Sequence, residues 1–223
     1  MDRRDVINAL HEGMAQAVRD FHAWTDESID EWGVESLLTA SCARALHDAI
    51  QQADDRSLIT IEQSFAGIMA FSQAELRRGR KTRSQVRVDD KPGGRVDLVL
   101  WSRTDPKVDP DKPRAIVEIK RSSRSDGLVK DAGRVIDFIN AAGRAYKGTV
   151  RYGLMAVLLQ TKVADADTAL FNKLQLRKGK LDTEAKKHGM VVDMPPARWV
   201  DDPHPETGYR TATVVFVLKA KQR

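Results

Sequence analysis

Apolar residues recur at helical spacing near the start of the chain. Val6, Ile7, Leu10, Met14, Ala17, Val18 and Phe21 share one stripe, which predicts an amphipathic helix over residues 5–24. Thr25, Asp26, Glu27 and Gly33 punctuate before a second helical stripe of Val34, Leu37, Leu38, Ser41, Ala45 and Ala49. The period then changes. Leu58 to Glu62 reads as a short strand, and Arg95 to Trp101 and Arg114 to Lys120 as strands whose near-continuous apolar runs imply cover on both faces. Between them, residues 65–84 are ambiguous: apolar as far as Phe71, then basic from Arg77 to Arg83. Gln85 to Val88 offers a further strand and Lys91-Pro92-Gly93-Gly94 a tight turn. A helix from about Leu128 to Tyr146 turns Leu128, Ala132, Val135, Ile136, Ile139 and Tyr146 inward, and Tyr152 to Thr161 is a buried strand. A long polar helix over 165–188 and strands near 190–194 and 211–219 close the chain. The predicted order, α-α-β-β-β-α-β-α-β-β, defines a mixed α/β domain.

The 223 residues suffice for one full-sized domain with a helical appendage. An apolar fraction of 41% supports a core, and the mixed sign of the 31% charged residues excludes wholesale disorder. Lys and Arg total 37 against 32 Asp and Glu, a net charge of +5 that leans mildly toward polyanionic partners. One cysteine, Cys42, excludes an intramolecular disulfide, and there is no Cys/His cluster for a zinc finger. Met1 to Asp5 lacks the apolar core of a signal peptide, and the longest apolar stretch, Leu154 to Leu159, is far short of the ~20 residues that span a bilayer. A cytoplasmic protein without a membrane partner is expected.

The informative anomaly is three charges within the two most buried-looking strands. Asp97 interrupts Val96 and Leu98, and Glu118 and Lys120 flank Ile119. Residues two apart on a strand share a face, so Glu118 and Lys120 point the same way, and Asp97 meets them if the strands are neighbours. A buried charge is costly unless it is paired or holds a metal. Two carboxylates beside an ammonium suit a hard divalent cation such as Mg²⁺, which keeps several waters and binds through one or two carboxylates together with substrate phosphate. A structural ion pair at a strand end is the rival reading. Glu-x-Lys alone is cheap, since Glu184-Ala185-Lys186 repeats it on what reads as a solvated helix.

Pro92 and Asp97 followed by Glu118-Ile119-Lys120, between an upstream helix containing Glu35 and a downstream helix and strand, resemble the PD-(D/E)XK nuclease superfamily. The resemblance covers about residues 34 to 160, and the 21 positions between Asp97 and Glu118 agree with it. The proline stands five positions before the aspartate rather than beside it, where Val96 sits, a departure that lowers the specificity of the match. The resemblance implies an α/β restriction-endonuclease-like αβββαβ core with a mixed central sheet, an N-terminal helical extension over 1–33, and a nuclease-like domain over 34–223 that ends in a helix and strands. It further implies Mg²⁺, with Mn²⁺ as a substitute, held by Asp97, Glu118 and the backbone carbonyl of Ile119, with Lys120 acting on the attacking water. Glu35 is the candidate for the acid supplied by the first core helix, in competition with Glu31 and Glu62. A helix N-terminus also favours an acid through its dipole, for Glu35 and for Asp131 alike. The implied activity is hydrolysis of DNA phosphodiester bonds in defence, restriction or repair. The alternatives are a nuclease-fold DNA-binding or assembly module without turnover, and a nuclease directed at RNA or junctions.

Arg77, Arg78, Arg80, Lys81 and Arg83 are candidate phosphate contacts, with solvated surface as the competing reading. Lys173, Arg177, Lys178 and Lys180 are weaker ones. Ser122, Ser123 and Arg124 directly follow the lysine strand and are candidates to reach a phosphate, with an ordinary polar loop as the competing reading. No Gly-x-x-x-x-Gly-Lys-Ser/Thr, Gly-x-Gly-x-x-Gly or Gly-x-Ser-x-Gly motif is present. Cys42 and His47 fall on different helix faces, His188 and His204 are isolated, and the four tryptophans form no stacking stripe. Residues 5–24 offer a contact for a homodimer; packing of that helix on its own domain is slightly favoured.

Overall fold

The computed structural model describes residues 1–25, 29, 35–72, 94–102, 111–121, 125–143, 148–200 and 208–221. The elements are α1 (Arg3–Thr25), α2 (Glu35–Gln52), β1 (Leu58–Ser64), α3 (Phe65–Phe71), β2 (Arg95–Ser102), β3 (Lys112–Arg121), α4 (Ser125–Ala142), β4 (Tyr152–Lys162), α5 (Ala166–Lys187), β5 (Met190–Asp193), β6 (Arg198–Trp199) and β7 (Tyr209–Ala220). The chain is an α/β protein with an open, mixed seven-stranded sheet in the order β1-β2-β3-β4-β7-β5, and β6 also pairs with β7. β1, β2 and β3 form an antiparallel meander, β4 lies parallel to β3 through the α4 crossover, and β7 runs antiparallel to β4.

Near-continuous apolar strands arise because helices cover both faces of the sheet. Ile116, Met155, Val157, Val214 and Phe216 pack with Leu128, Ile136 and Phe138 of α4 and Leu174 and Leu181 of α5. The alternate residues Val117, Ile119, Leu154, Ala156, Val215 and Val217 pack with Leu10 and Met14 of α1 and Leu38 and Leu46 of α2. The α1 stripe thus packs on its own chain, the arrangement slightly favoured from the sequence. Among the described residues, no helix is long and apolar enough to cross a membrane.

Predicted and observed elements agree closely in the sheet and differ at three places. The apolar half of the ambiguous 65–84 segment is the short helix α3, started by the Ser64 hydroxyl, which accepts the Gly67 N–H. α4 ends at Ala142, because the Val150 N–H takes the Ala142 carbonyl and the Gly148 N–H that of Gly143. β6, only two residues long, carries no periodicity to detect. The predicted strand at 85–88, Lys91 to Gly93 of the predicted turn, and Tyr146 lie outside the described residues.

α1 and α2 approach closely at Gly13. A Cβ there would lie 2.5 Å from the Cys42 Cα and 2.8 Å from the Ser41 carbonyl oxygen. Gly13→Ala is expected to push the helices apart and cost ~1–3 kcal/mol, the usual penalty of overpacking. Gly179→Ala in α5 meets nothing within 4 Å and is expected to gain up to ~1 kcal/mol from helix propensity. Thermal denaturation of both variants checks the pair: Tm falls by several degrees for the first and rises for the second.

Candidate active site

The site begins where two strands part. β2 pairs with β1 from Arg95 opposite Ser64 to Trp101 opposite Leu58, skipping only Asp97. Its ladder with β3 starts only at Leu98 opposite Val117, while β3 stays paired to β4 as far as Arg121. The first residues of β2 and the last of β3 therefore leave a gap in the sheet at the carboxyl ends of the parallel pair β3 and β4. Open α/β sheets place ligands at such ends.

Asp97 fills the start of this gap. Its carboxylate accepts the Ile119 N–H at 2.6 Å, standing in for the missing ladder bond. On the other side, the β1–β2 ladder steps from Ile61/Leu98 to Gln63/Val96, and Glu62 between them takes a left-handed φ of 51°. That conformation is rare for a residue with a side chain, and such strain gathers at functional sites. Asp97 thus stands at an irregular position of both ladders.

Glu118 and Lys120 share a strand face, as the period-two argument requires. The Glu118 side chain is only 4% exposed and its Oε1 receives Lys120 Nζ at 3.3 Å and Arg134 at 2.5 Å. α4 supplies the next shell of charge: Asp131 and Arg134, one helical turn apart, pair at 2.8 Å, and Lys120 Nζ lies 3.7 Å from Asp131. From the first turn of α2, Glu35 comes within 3.6 Å of Lys120 Nζ. Four carboxylates (Glu35, Asp97, Glu118 and Asp131) thus face two cations (Lys120 and Arg134). Fully ionised, the cluster lacks two positive charges.

The electrostatics follow from burial. Desolvation raises the Glu118 carboxyl from 4.5 to about 7, with the neighbouring Asp97 charge adding to it and Lys120 and Arg134 opposing it. Desolvation also raises Asp97, against the Ile119 hydrogen bond that favours its charged form. For Lys120, burial pulls downward, but the surrounding carboxylates, Glu118 first, outweigh it and raise its pKa, so it stays an ammonium.

Among the described residues, no three carboxylate, histidine or cysteine side chains converge into a ready-made coordination shell. Comparison with protein-family models, curated proteins and solved structures found no match. The donor set nevertheless suits a cation that needs only one or two protein carboxylates and takes the rest from water and substrate. Asp97 is half-buried and Glu118 buried, the Asp97 charge raises the proton affinity of Glu118, and Ile119 lies between Glu118 and Lys120.

Of the predicted site residues, Asp97, Glu118, Ile119, Lys120 and Glu35 are brought together. Glu62, a competitor of Glu35, instead pairs with Arg95 at 3.1 Å on the exposed surface. Glu31, the competing acid, lies outside the described residues, as do Arg77, Arg78, Arg80, Lys81, Arg83, Ser122, Ser123 and Arg124. On α5, Lys178 pairs with Asp182 and Lys180 with Asp126. Glu184, in the second Glu-x-Lys, pairs with Lys187 on the helix surface, as its solvated reading requires. Cys42 is buried between α1 and α2 with its thiol 3.8 Å from the Leu10 carbonyl, a packing cysteine. Arg134 was missed from the sequence. Its only signal there is its spacing from Asp131, which an exposed helix pair shares.

Removing Glu118's titration tests its burial. Below pH 4.5 the carboxyl is protonated in the folded and unfolded chain alike; between 4.5 and about 7 only the unfolded chain ionises, so stability declines through that window and stays reduced above it. The full decline is at most ~3.5 kcal/mol, at about 1.4 kcal/mol per pH unit. In EDTA, Glu118→Gln is expected to gain on the wild type by roughly 2 kcal/mol between pH 4.5 and 8. Urea denaturation across this range checks it; a pH-independent difference contradicts it.

Proposed function

We propose that this chain is a divalent-metal-dependent nuclease of the restriction-endonuclease-like fold, hydrolysing phosphodiester bonds in DNA. The observation that carries the reading is the convergence of Asp97, Glu118 and Lys120, with the Ile119 backbone between them, in the gap where β2 and β3 part. Its setting supports the same reading: a helix, an antiparallel meander of three strands, a crossover helix and a fourth strand parallel to the third. This is the αβββαβ order implied by the resemblance to PD-(D/E)XK nucleases, with α3 inserted after β1.

Asp97, Glu118 and the Ile119 carbonyl would hold Mg²⁺, whose chemistry there would be to lower the pKa of a water and offset charge developing at phosphorus. The chain's own groups do the rest. Lys120, kept protonated by the carboxylates around it, is a hydrogen-bond donor: it orients the attacking water or neutralises the phosphate oxygens, rather than acting as a base. Arg134 presents a planar guanidinium at the same carboxylate, and phosphate is the other group that this fork recognises. Glu35, half-exposed at the start of α2, anchors Lys120 from the solvent side.

A second reading, a nuclease-fold DNA-binding or assembly module without turnover, is favoured by one observation: Glu118 Oε1 already carries both Arg134 and Lys120, as a structural ion-pair network would. Cleavage separates the two. Plasmid, linear and single-stranded DNA and structured RNA, incubated with Mg²⁺ or Mn²⁺ against EDTA, are expected to reveal metal-dependent cutting of DNA. Asp97→Asn and Lys120→Met are expected to lower its rate by ~100-fold or more, the scale of a lost electrostatic stabiliser. Full activity in either variant, or cutting in EDTA, overturns the nuclease reading. Salt-sensitive DNA binding that ignores Mg²⁺ and yields no cleavage supports the module.

A further inference from the structure

A second polar site stands at the opposite end of the sheet. The register sets Tyr152 beside Ala115 and Val157 beside Lys120, so the start of β4 lies five strand positions, ~17 Å, from the Lys120 level. There the first turns of α1, the start of β4 and the connection from β5 to β6 enclose a pocket of about 700 Å³. Its size falls within the range that holds small organic ligands.

Two buried side chains of this pocket each have a polar atom without a hydrogen-bond partner among the described residues. His11 is 2% exposed and Tyr152 is 5% exposed, and both line it. His11 Nδ1 lies 2.6 Å from the Thr213 hydroxyl oxygen, and that hydroxyl donates to the Arg198 carbonyl at 3.3 Å. When the Thr213 hydroxyl gives its proton to the Arg198 carbonyl, it accepts from His11 Nδ1–H, and Nε2 is then an acceptor. Burial, with Arg198 nearby, pushes the His11 pKa down to about 4 and keeps the ring neutral. Neither His11 Nε2 nor the Tyr152 hydroxyl meets a hydrogen-bond partner among the described residues. Such orphans are uncommon and costly in a native interior, and each calls for an explanation.

The same pocket is rimmed by Arg3, Arg4 and Arg198. Its two acids are already engaged. Asp2 accepts the N–H groups of Arg4 and Asp5, closing the start of α1, and Asp193 pairs with Lys219. Arg198 is held by Asn8 and, at 3.8 Å, by Glu12. Arg3 and Arg4 have no side-chain partner among the described residues and remain to meet an anion.

We propose that this pocket binds a small phosphate ester with free hydroxyl groups, its phosphate at Arg3 and Arg4 and one hydroxyl donating to His11 Nε2 beside the Tyr152 oxygen. A bare anion would leave the His11 acceptor without a donor, and an uncharged sugar would leave the arginines without an anion. Phosphate, like carboxylate, matches the guanidinium fork in a bidentate way, and its further oxygens and greater charge let one group serve two arginines. The site is separate from the Glu118 cluster and does not depend on its chemistry.

The test is calorimetric titration of the full chain in EDTA with ribose 5-phosphate and adenosine 5′-monophosphate, beside ribose and inorganic phosphate. At least one ester is expected to saturate a single site, with both fragments ~tenfold weaker or worse. Tyr152→Phe and Arg3→Gln are each expected to weaken that ester by ~tenfold. Tyr152→Phe should also leave the Tm of the ligand-free chain unchanged or raised, because its hydroxyl has no partner to lose. Both esters binding alike assigns recognition to the sugar phosphate, and preference for the nucleotide adds the base. No ester binding, binding untouched by both variants, or a Tm several degrees lower in Tyr152→Phe overturns the proposal.

Discussion

Two neighbouring carboxylates held largely out of water set the terms for one end of this sheet. Glu118 is almost wholly buried and Asp97 is half-buried; burial raises both, and a like charge adds to each, that of Asp97 on Glu118 and that of Glu35 on Asp97. The fold offsets that cost with Lys120 and Arg134 on a single Glu118 oxygen and with the Ile119 N–H on Asp97. Asp131 and Glu35 then bring the surrounding charge back to negative. A stable interior has little reason to gather charge in this way, since well-packed apolar residues are often at least as stabilising. The arrangement makes sense if a missing positive charge is supplied on binding.

The rest of the architecture serves that cluster. β3 is anchored through Arg121 to β4, yet released from β2 beyond Val117, and the left-handed Glu62 breaks the neighbouring ladder at the level of Asp97. The gap is rigid because helices cover both sheet faces: α4 carries Asp131 and Arg134 in on one side, and α2 begins with Glu35 at the other. Helices and strands, rather than loops, thus carry all six charged groups, which is what preorganised electrostatics requires.

How much of this the sequence discloses depends on how local each cause is. β2, β3 and β4 are legible because burial on both faces writes an uninterrupted apolar run, and charges within such a run stand out as Asp97, Glu118 and Lys120 do. The α1 stripe is legible for the same reason. Long-range geometry is not. Glu35 and Glu62 are equal candidates until pairing turns one toward Lys120 and the other toward Arg95 on the surface. Arg134 reads as half of an ordinary helix pair, and its reach to Glu118 exists only once α4 docks on β3. The orphaned His11 and Tyr152, 141 positions apart, meet only through the packing of α1 on the start of β4.

The proposed role of Asp97 and Glu118 is to hold a divalent cation. Titration of the full chain with Mn²⁺ at pH 8, followed by the electron paramagnetic resonance signal of the free ion, tests it without reference to any substrate. Saturable binding is expected, and Asp97→Asn and Glu118→Gln should each abolish it while the folded circular dichroism signal persists. Mn²⁺ binding of equal strength in wild type and both variants, or none in the wild type, would contradict it.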